Sequence, residues 1–227
     1  MTLLLYAIGP ADAPVAAGLT GLGGAPVDTI VHAGLAAFVA GCDRAPEPRP
    51  ESLLEYERIV ERLMDDATIL PARFGTVLAG ETEVITLLQE RRERFLAGLA
   101  RVSGAVEFGV RADWSDSPPL AEAAGSASAA AGATPGLDYM NERLAVRRRA
   151  REIATAIDTP LRDLARERTC RILTRPQTPV VAAYLVARPH VDEFIGRCRD
   201  VTEAVAGATV VGTGPWPPYS FVEQEPT

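Results

Sequence analysis

The order of strand and helix patterns after residue 104 constrains the fold of this chain more than any other feature of its sequence. Residues 104–114, "GAVEFGVRADW", have the composition of a strand, and residues 137–168 carry apolar side chains at helical spacing. Two apolar strand patterns, a helix over 190–205 and a strand over 208–214 complete the series. We therefore predict a C-terminal domain with the βαββαβ order of a ferredoxin-like α/β sandwich.

The helix predicted over 137–168 is the longest in the sequence. Pro160 should break or kink it, because proline lacks the N–H that a helix interior requires. Its predicted core face consists of seven apolar residues: Leu137, Met140, Leu144, Ala154, Ile157, Leu161 and Leu164.

The N-terminal half follows a modified version of the same plan. It opens with a strand over 2–9 and continues with two short apolar runs, 27–34 and 35–41, that we interpret as a hairpin. Amphipathic helices are predicted over 50–67 and 81–102, but no helix pattern follows the first strand. We therefore expect an α+β protein of two domains, 1–103 and 104–227, with the boundary where the second helix ends.

Composition excludes several classes of function. The chain has no lysine, which rules out a Walker A nucleotide loop and Schiff-base chemistry. Its net charge of −7 argues against nucleic acid or an anionic membrane as the main partner, and no apolar run reaches the length of a membrane span. The two histidines and three cysteines are too scattered to form a metal motif. We predict a cytoplasmic protein without catalytic, metal-binding or cofactor-binding residues.

Two stretches of biased composition, 115–136 and 147–151, are interpreted as a loop and as part of a helix surface. Residues 115–136 are rich in alanine, glycine, serine and proline, and we expect them to form a flexible loop. The run "RRRAR" over 147–151 is open to two interpretations. It could be a solvated helix face with local ion pairs, which we favour, or a docking surface for an acidic partner.

Two short motifs are more informative. "ILPARFGT" over 69–76 places a glycine between Phe74 and Thr76, which suggests a tight backbone feature in an extended segment. "TGPWPPYSF" over 213–221 combines three prolines with three aromatic residues, so it is stiff and apolar but unsuited to a regular helix. The candidate structural or interaction residues are Leu70, Pro71, Arg73, Phe74, Gly75 and Thr76 in the first motif, and Gly214, Pro215, Trp216, Pro217, Pro218, Tyr219 and Phe221 in the second.

Together these two motifs resemble the gas vesicle accessory proteins of the GvpL/GvpF family. The opening "LLLYAI", the run "GLAAFV" and the strand "VEFGVRADW" are also similar, and they occur in the same order along the chain. The resemblance implies a two-domain α+β protein that is not an enzyme and takes part in gas vesicle formation. It also implies that the partner is the small, very hydrophobic vesicle shell protein, together with other accessory proteins.

The resemblance leaves other questions open. A small-molecule-binding or enzymatic ferredoxin-like domain is the alternative, because this fold hosts many functions. The C-terminal aromatic segment could staple the two domains, which we favour, or contact the partner directly. For the first motif we expect Phe74 in the core, Arg73 in an ion pair, and Gly75 in a conformation that a side chain would strain.

Overall fold

The chain divides into two compact units in the computed structural model, which describes residues 2–15, 17–114, 135–173 and 177–222. The first unit comprises Met1–Glu107 together with Trp216–Thr227, and the second comprises Phe108–Pro215. The predicted second domain includes residues 216–227, whereas the contacts of Trp216–Thr227 group them with the first unit. The predicted loop lies outside the described residues, except for 135 and 136, which begin a helix.

The described residues of the first unit form one antiparallel sheet and three α-helices. β1 lies at the middle of the sheet, with β3 and then β2 on one side and the short strands β4 and β5 on the other. The elements in chain order are β1 (Thr2–Pro10), β2 (Val27–His32), β3 (Leu35–Cys42), α1 (Pro50–Asp66), β4 (Leu70–Pro71), β5 (Val77–Leu78), α2 (Glu81–Glu90) and α3 (Arg92–Val102).

The first three strands and the β2–β3 hairpin confirm the prediction. The hairpin turns at Ala33 and Gly34, whose φ angles of 52° and 83° suit a two-residue turn between twisted strands. Among the described residues between β1 and β2, the one helical element is a three-residue 3₁₀ turn, Leu22–Gly24.

The prediction of one helix over 81–102 was wrong, because the structure has α2 and α3 in its place. Arg91 separates them with φ −109° and ψ 16°, outside the helical region. Val84 and Leu88 of α2 and Leu99 and Val102 of α3 are all buried. These residues keep helical spacing across the break, so the apolar pattern carries no sign of it.

The second unit has the predicted βαββαβ order. Its four-stranded sheet has the order β7–β8–β6–β9, which places the first and third strands of the motif at the centre. The elements are β6 (Ala105–Trp114), α4 (Pro135–Leu161), β7 (Ala165–Ile172), β8 (Val180–Ala187), α5 (Val191–Ala204) and β9 (Ala208–Trp216). The first three residues of β6 and the last of β9 belong to the first unit by their contacts.

An aromatic cluster forms the core of the second unit. Phe194 of α5 is fully buried, and its ring centroid lies 4.8 Å from that of Phe108 on β6 and 5.5 Å from that of Tyr184 on β8. Rings at these separations contribute more than their buried area alone. This cluster packs α5 against the two central strands.

The predicted core face of the long helix is only partly right. Ala154, Ile157 and Leu161 are buried, but Met140 and Leu144 are 58% and 60% exposed. Successive residues turn by about 100°, so Leu144 lies about 100° around the helix from Leu161. The helix ends one residue after Pro160, and the last four residues of the predicted helix belong to β7.

No helix among the described residues is long and apolar enough to cross a membrane.

Close packing of α5 on β9 gives a testable consequence at Gly212. A Cβ at this position would lie 2.5 Å from the Sγ of Cys198, well inside van der Waals contact. Gly212→Ala should therefore lower the free energy of unfolding by about 1–3 kcal/mol, measured by urea denaturation. Cys198→Ala should relieve the clash, so the double variant should be more stable than the sum of the two single effects predicts.

Gly196→Ala is the matched control for this test, since a Cβ there meets nothing within 4 Å and the residue lies within α5. We expect the control to leave the protein as stable or more stable. Additive effects at positions 198 and 212 would contradict the packing described.

Candidate functional site

Tyr56 of α1 lies at the centre of the first unit's candidate site. Its side chain is 1% exposed, and its hydroxyl lies 3.0 Å from the carbonyl oxygens of both Leu5 and Ala72, to which it donates. Its ring stacks on that of Tyr6 at a centroid distance of 5.1 Å and meets that of Phe74 edge-on at 5.3 Å. One side chain of α1 therefore ties the "ILPARFGT" motif to β1.

The "ILPARFGT" motif forms β4 and a tight turn. The backbone N–H and the hydroxyl of Thr76 both donate to the carbonyl of Arg73, at 3.1 Å and 2.8 Å. Gly75 has φ 79°, so it holds a conformation that a side chain would strain, as we predict. Phe74 is half-buried rather than a core residue, and the side chain of Arg73 is exposed.

The C-terminal motif changes conformation at Trp216, where β9 ends. Pro217 and Pro218 are buried, and their carbonyls accept hydrogen bonds from the N–H groups of Tyr219 and Phe221, respectively, in a 3₁₀ turn. Phe221 is 2% exposed, whereas Trp216 is 37% exposed. Phe221, and not the larger Trp216, is therefore the main apolar anchor of the segment.

Glu107 holds this segment in place. It is 8% exposed, and its Oε2 and Oε1 accept hydrogen bonds from the N–H and hydroxyl of Ser220 at 2.7 Å and 2.6 Å. Burial raises the pKa of Glu107, while the two hydrogen bonds from Ser220 act in the opposite direction. Arg101 adds a bond from its Nη1 to the carbonyl of Phe221 at 3.1 Å.

The pKa values of Tyr56 and of Tyr219, which is part of this segment, are also raised. Burial raises the pKa of Tyr56, with smaller contributions from Tyr219 and Tyr6. Burial also raises the pKa of Tyr219, and the carboxylates of Glu57, Glu61 and Glu107 add to the effect. Both hydroxyls therefore stay neutral at physiological pH and cannot serve as bases.

The two motifs meet at a cleft of about 440 Å³ that opens to solvent. Leu70 comes from the first motif, Phe221 and Val222 come from the C-terminal segment, and α3 supplies the rest. The lining residues are Leu70, Arg94, Phe95, Ala97, Gly98, Arg101, Phe221 and Val222. The lining is mostly apolar, with two guanidinium groups and no carboxylate, imidazole or thiol, so it suits an apolar ligand better than acid–base chemistry.

The other predicted site residues do not line this cleft. Arg73, Gly75 and Thr76 form the turn after β4, and Trp216 ends β9. Gly214 and Pro215 belong to β9 in the second unit. Within the described ranges no three His, Cys, Asp or Glu side chains come together as possible metal ligands.

Sequence reasoning missed three residues that the site requires. Tyr56 has the spacing of one of several apolar positions on α1, and nothing in the sequence of α3 distinguishes Arg101 from the other arginines there. Glu107 did carry a signal, because it is the single charged residue in the apolar run "AVEFGV". A lone carboxylate at such a position needs a buried partner, although nothing in the strand indicates Ser220 as that partner.

These features define a protein with two antiparallel-sheet units of ferredoxin-like type and an apolar cleft lined by residues from both sequence motifs. The model of the family described as "Gas vesicle synthesis protein GvpL/GvpF" matches residues 2–223, so the chain belongs to this family. The resemblance noted from the two motifs is confirmed.

Individual relatives agree with the family assignment. Gas vesicle protein L of Streptomyces sp. (strain CB03234) is 29% identical, over 93% of this chain and 89% of its own length. Gas vesicle protein F of the same strain is 26% identical, over 87% of this chain and 88% of its own length. The crystal structure of GvpF from Anabaena sp. PCC7120 has the same fold, with a TM-score of 0.84, 21% identity and coverage of 99% of this chain and 97% of that one.

The anchoring role of Phe221 predicts unequal effects for two aromatic substitutions in one segment. Phe221→Ala should lower the free energy of unfolding by about 3–5 kcal/mol, because it empties a fully buried position. Trp216→Ala should cost under about 1 kcal/mol, since much of that side chain is already in water. Equal losses in urea denaturation would show that Trp216 shares the anchoring.

The buried carboxylate predicts a specific dependence on pH. The folded-state pKa of Glu107 lies above its ordinary value of 4.5, so its contribution to stability is complete below that pH and is lost as pH rises through the folded pKa. Glu107→Gln keeps an acceptor and a donor for Ser220 and should remove this dependence. The variant should match or exceed the wild type in thermal midpoint at pH 7 and lose that advantage near pH 4.

Glu107→Leu is the companion variant, because it removes both hydrogen bonds and should destabilise the protein at every pH. A Glu107→Gln protein that is less stable than the wild type at pH 7 would mean that the charged form is required.

Proposed function

We propose that this chain binds the hydrophobic shell protein of the gas vesicle at the cleft and assists its assembly into the vesicle wall. The single observation that carries the proposal is the convergence of both sequence motifs on an open, mostly apolar cleft in a member of a gas vesicle family. An unassembled shell protein exposes apolar surface that needs cover in water. A cleft of this kind can provide that cover.

The position of the cleft supports binding of an apolar segment of a protein. Phe95 and Val222 are half-buried at its surface, and Ala97 is exposed, so the lining is accessible without unfolding. Arg94 and Arg101 place positive charge at the same cleft. An apolar segment with a nearby carboxylate would therefore complement it better than a purely aliphatic one.

The proposal includes a location and further contacts. The chain works in the cytoplasm in association with the gas vesicle, and other accessory proteins of the vesicle are further partners. It acts as an accessory or minor shell-associated component, without catalysis. Isolation of vesicles followed by immunodetection distinguishes a retained component from a factor that leaves after assembly.

Filling the cleft tests the proposal. Ala97→Trp places a large side chain in the cleft from an exposed helical position, so it should leave the fold intact. In affinity capture with co-expressed shell protein, this variant should retain at least about tenfold less shell protein than the wild type. Ala100→Trp, exposed on the same helix but outside the lining, is the matched control and should bind normally.

Two results would overturn the proposal at different levels. A wild-type protein that fails to retain the shell protein would refute the partner. Normal retention by Ala97→Trp would keep the partner but refute the cleft as its site.

A further inference from the structure

Exposed apolar side chains on the helices of this protein occur in two pairs. Among the described residues, nine large apolar side chains are 37% exposed or more, and four of these lie on helices. Leu53 and Leu54 of α1 are 38% and 58% exposed, and Met140 and Leu144 of α4 are 58% and 60% exposed. Neither pair belongs to the cleft, so they mark two further surfaces.

The pair on α4 lies beside a run of arginines. Arg147, Arg148 and Arg151 follow Leu144 at spacings of three, four and seven, so all three lie on the same side of the helix. All three are exposed, and none makes an ion pair within the part of the chain that the structure describes. The local ion pairs that we favoured for this run are therefore not found there. We call Met140, Leu144 and these three arginines the basic face of α4.

The pair on α1 lies beside carboxylates. Leu54 lies on the side of α1 opposite the buried Leu63, and Glu51 and Glu55, three residues before and one residue after it, lie along one flank of that exposed side. Both glutamates are exposed and have no ion pair among the described residues. We call Glu51, Leu54 and Glu55 the acidic face of α1.

The two faces are complementary in charge and share an apolar centre. An antiparallel contact that places Leu54 against Leu144 sets Glu51 opposite Arg147 and Arg148, because three residues on either helix advance about the same distance. The same arrangement puts Arg58, one turn further along α1, opposite Met140. A parallel contact would instead bring Arg58 beside Arg148, and like charges there would repel.

We propose that the basic face of α4 binds the acidic face of α1 on a second copy of this chain. The two faces are different surfaces, so the contact is head-to-tail and leaves one free face of each kind at the ends of the assembly. Such a contact extends beyond a dimer unless it closes into a ring. It does not involve the cleft, and Ala97→Trp should leave it unchanged.

Charge reversal and its compensation test this contact. Sedimentation velocity at low salt should show a mass that rises with protein concentration and falls on adding salt, since exposed ion pairs are screened. Arg147→Glu with Arg148→Glu should weaken self-association at least about tenfold, and Glu51→Arg with Glu55→Arg should do the same. The four substitutions together should restore association, because the charges are exchanged.

Arg171→Glu with Arg199→Glu is the matched control, since both residues are exposed and the net charge changes equally. This control should associate like the wild type, and circular dichroism should show all variants folded.

Several outcomes would overturn the proposal. One is a wild-type protein that stays monomeric up to its solubility limit. A monomer whose arginines bind phosphatidylglycerol vesicles is the same outcome with a membrane in place of the second copy. Another is self-association of the Arg147→Glu, Arg148→Glu variant that is as strong as that of the Arg171→Glu, Arg199→Glu control. Failure of the fourfold variant to associate, while it remains folded, would also contradict the pairing.

Discussion

A buried carboxylate dictates how the C-terminal segment sits on the first unit. Glu107 is almost completely removed from water, and such a group is costly unless donors surround it. Ser220 supplies two donors, one from its backbone and one from its hydroxyl. Phe221 is consequently fixed next to this contact, where it is buried and forms part of the cleft. This hydrogen-bonded pair and the bond from Arg101 to the carbonyl of Phe221 together position the aromatic anchor of the segment.

The chemistry of the surface separates two kinds of contact. The cleft is mostly apolar, so its contribution to binding comes from removing hydrocarbon surface from water. The helix faces of α1 and α4 combine a few apolar side chains with exposed charge, so their contribution to binding depends on ionic strength. Such charges increase the selectivity of a contact more than its affinity. The two proposed contacts would therefore use different surfaces of the protein.

The failed predictions of one helix over 81–102 and of the core face of α4 both rest on apolar spacing along a helix. Helical spacing identified α1, α4 and α5, but it could not show the break at Arg91, because the apolar residues on both sides keep the same spacing. It also placed Met140 and Leu144 with the core residues of α4. A row of apolar residues that faces the core at one end of a long helix turns around the helix axis towards the other end. Only the position of the sheet shows where along the helix these residues stop being buried.

The sequence alone determined the order of strands and helices, the ferredoxin-like plan of the second unit, and the two motifs that indicate the GvpL/GvpF family. These properties are local: period, proline and glycine positions, and short residue patterns depend on neighbours in the chain. The tertiary structure alone decided that Leu70 and Phe221 line one cleft, that Tyr56 links the first motif to β1, and that Glu107 meets Ser220. Those contacts join residues tens to more than a hundred positions apart, and no local pattern encodes which distant residue will satisfy a buried group.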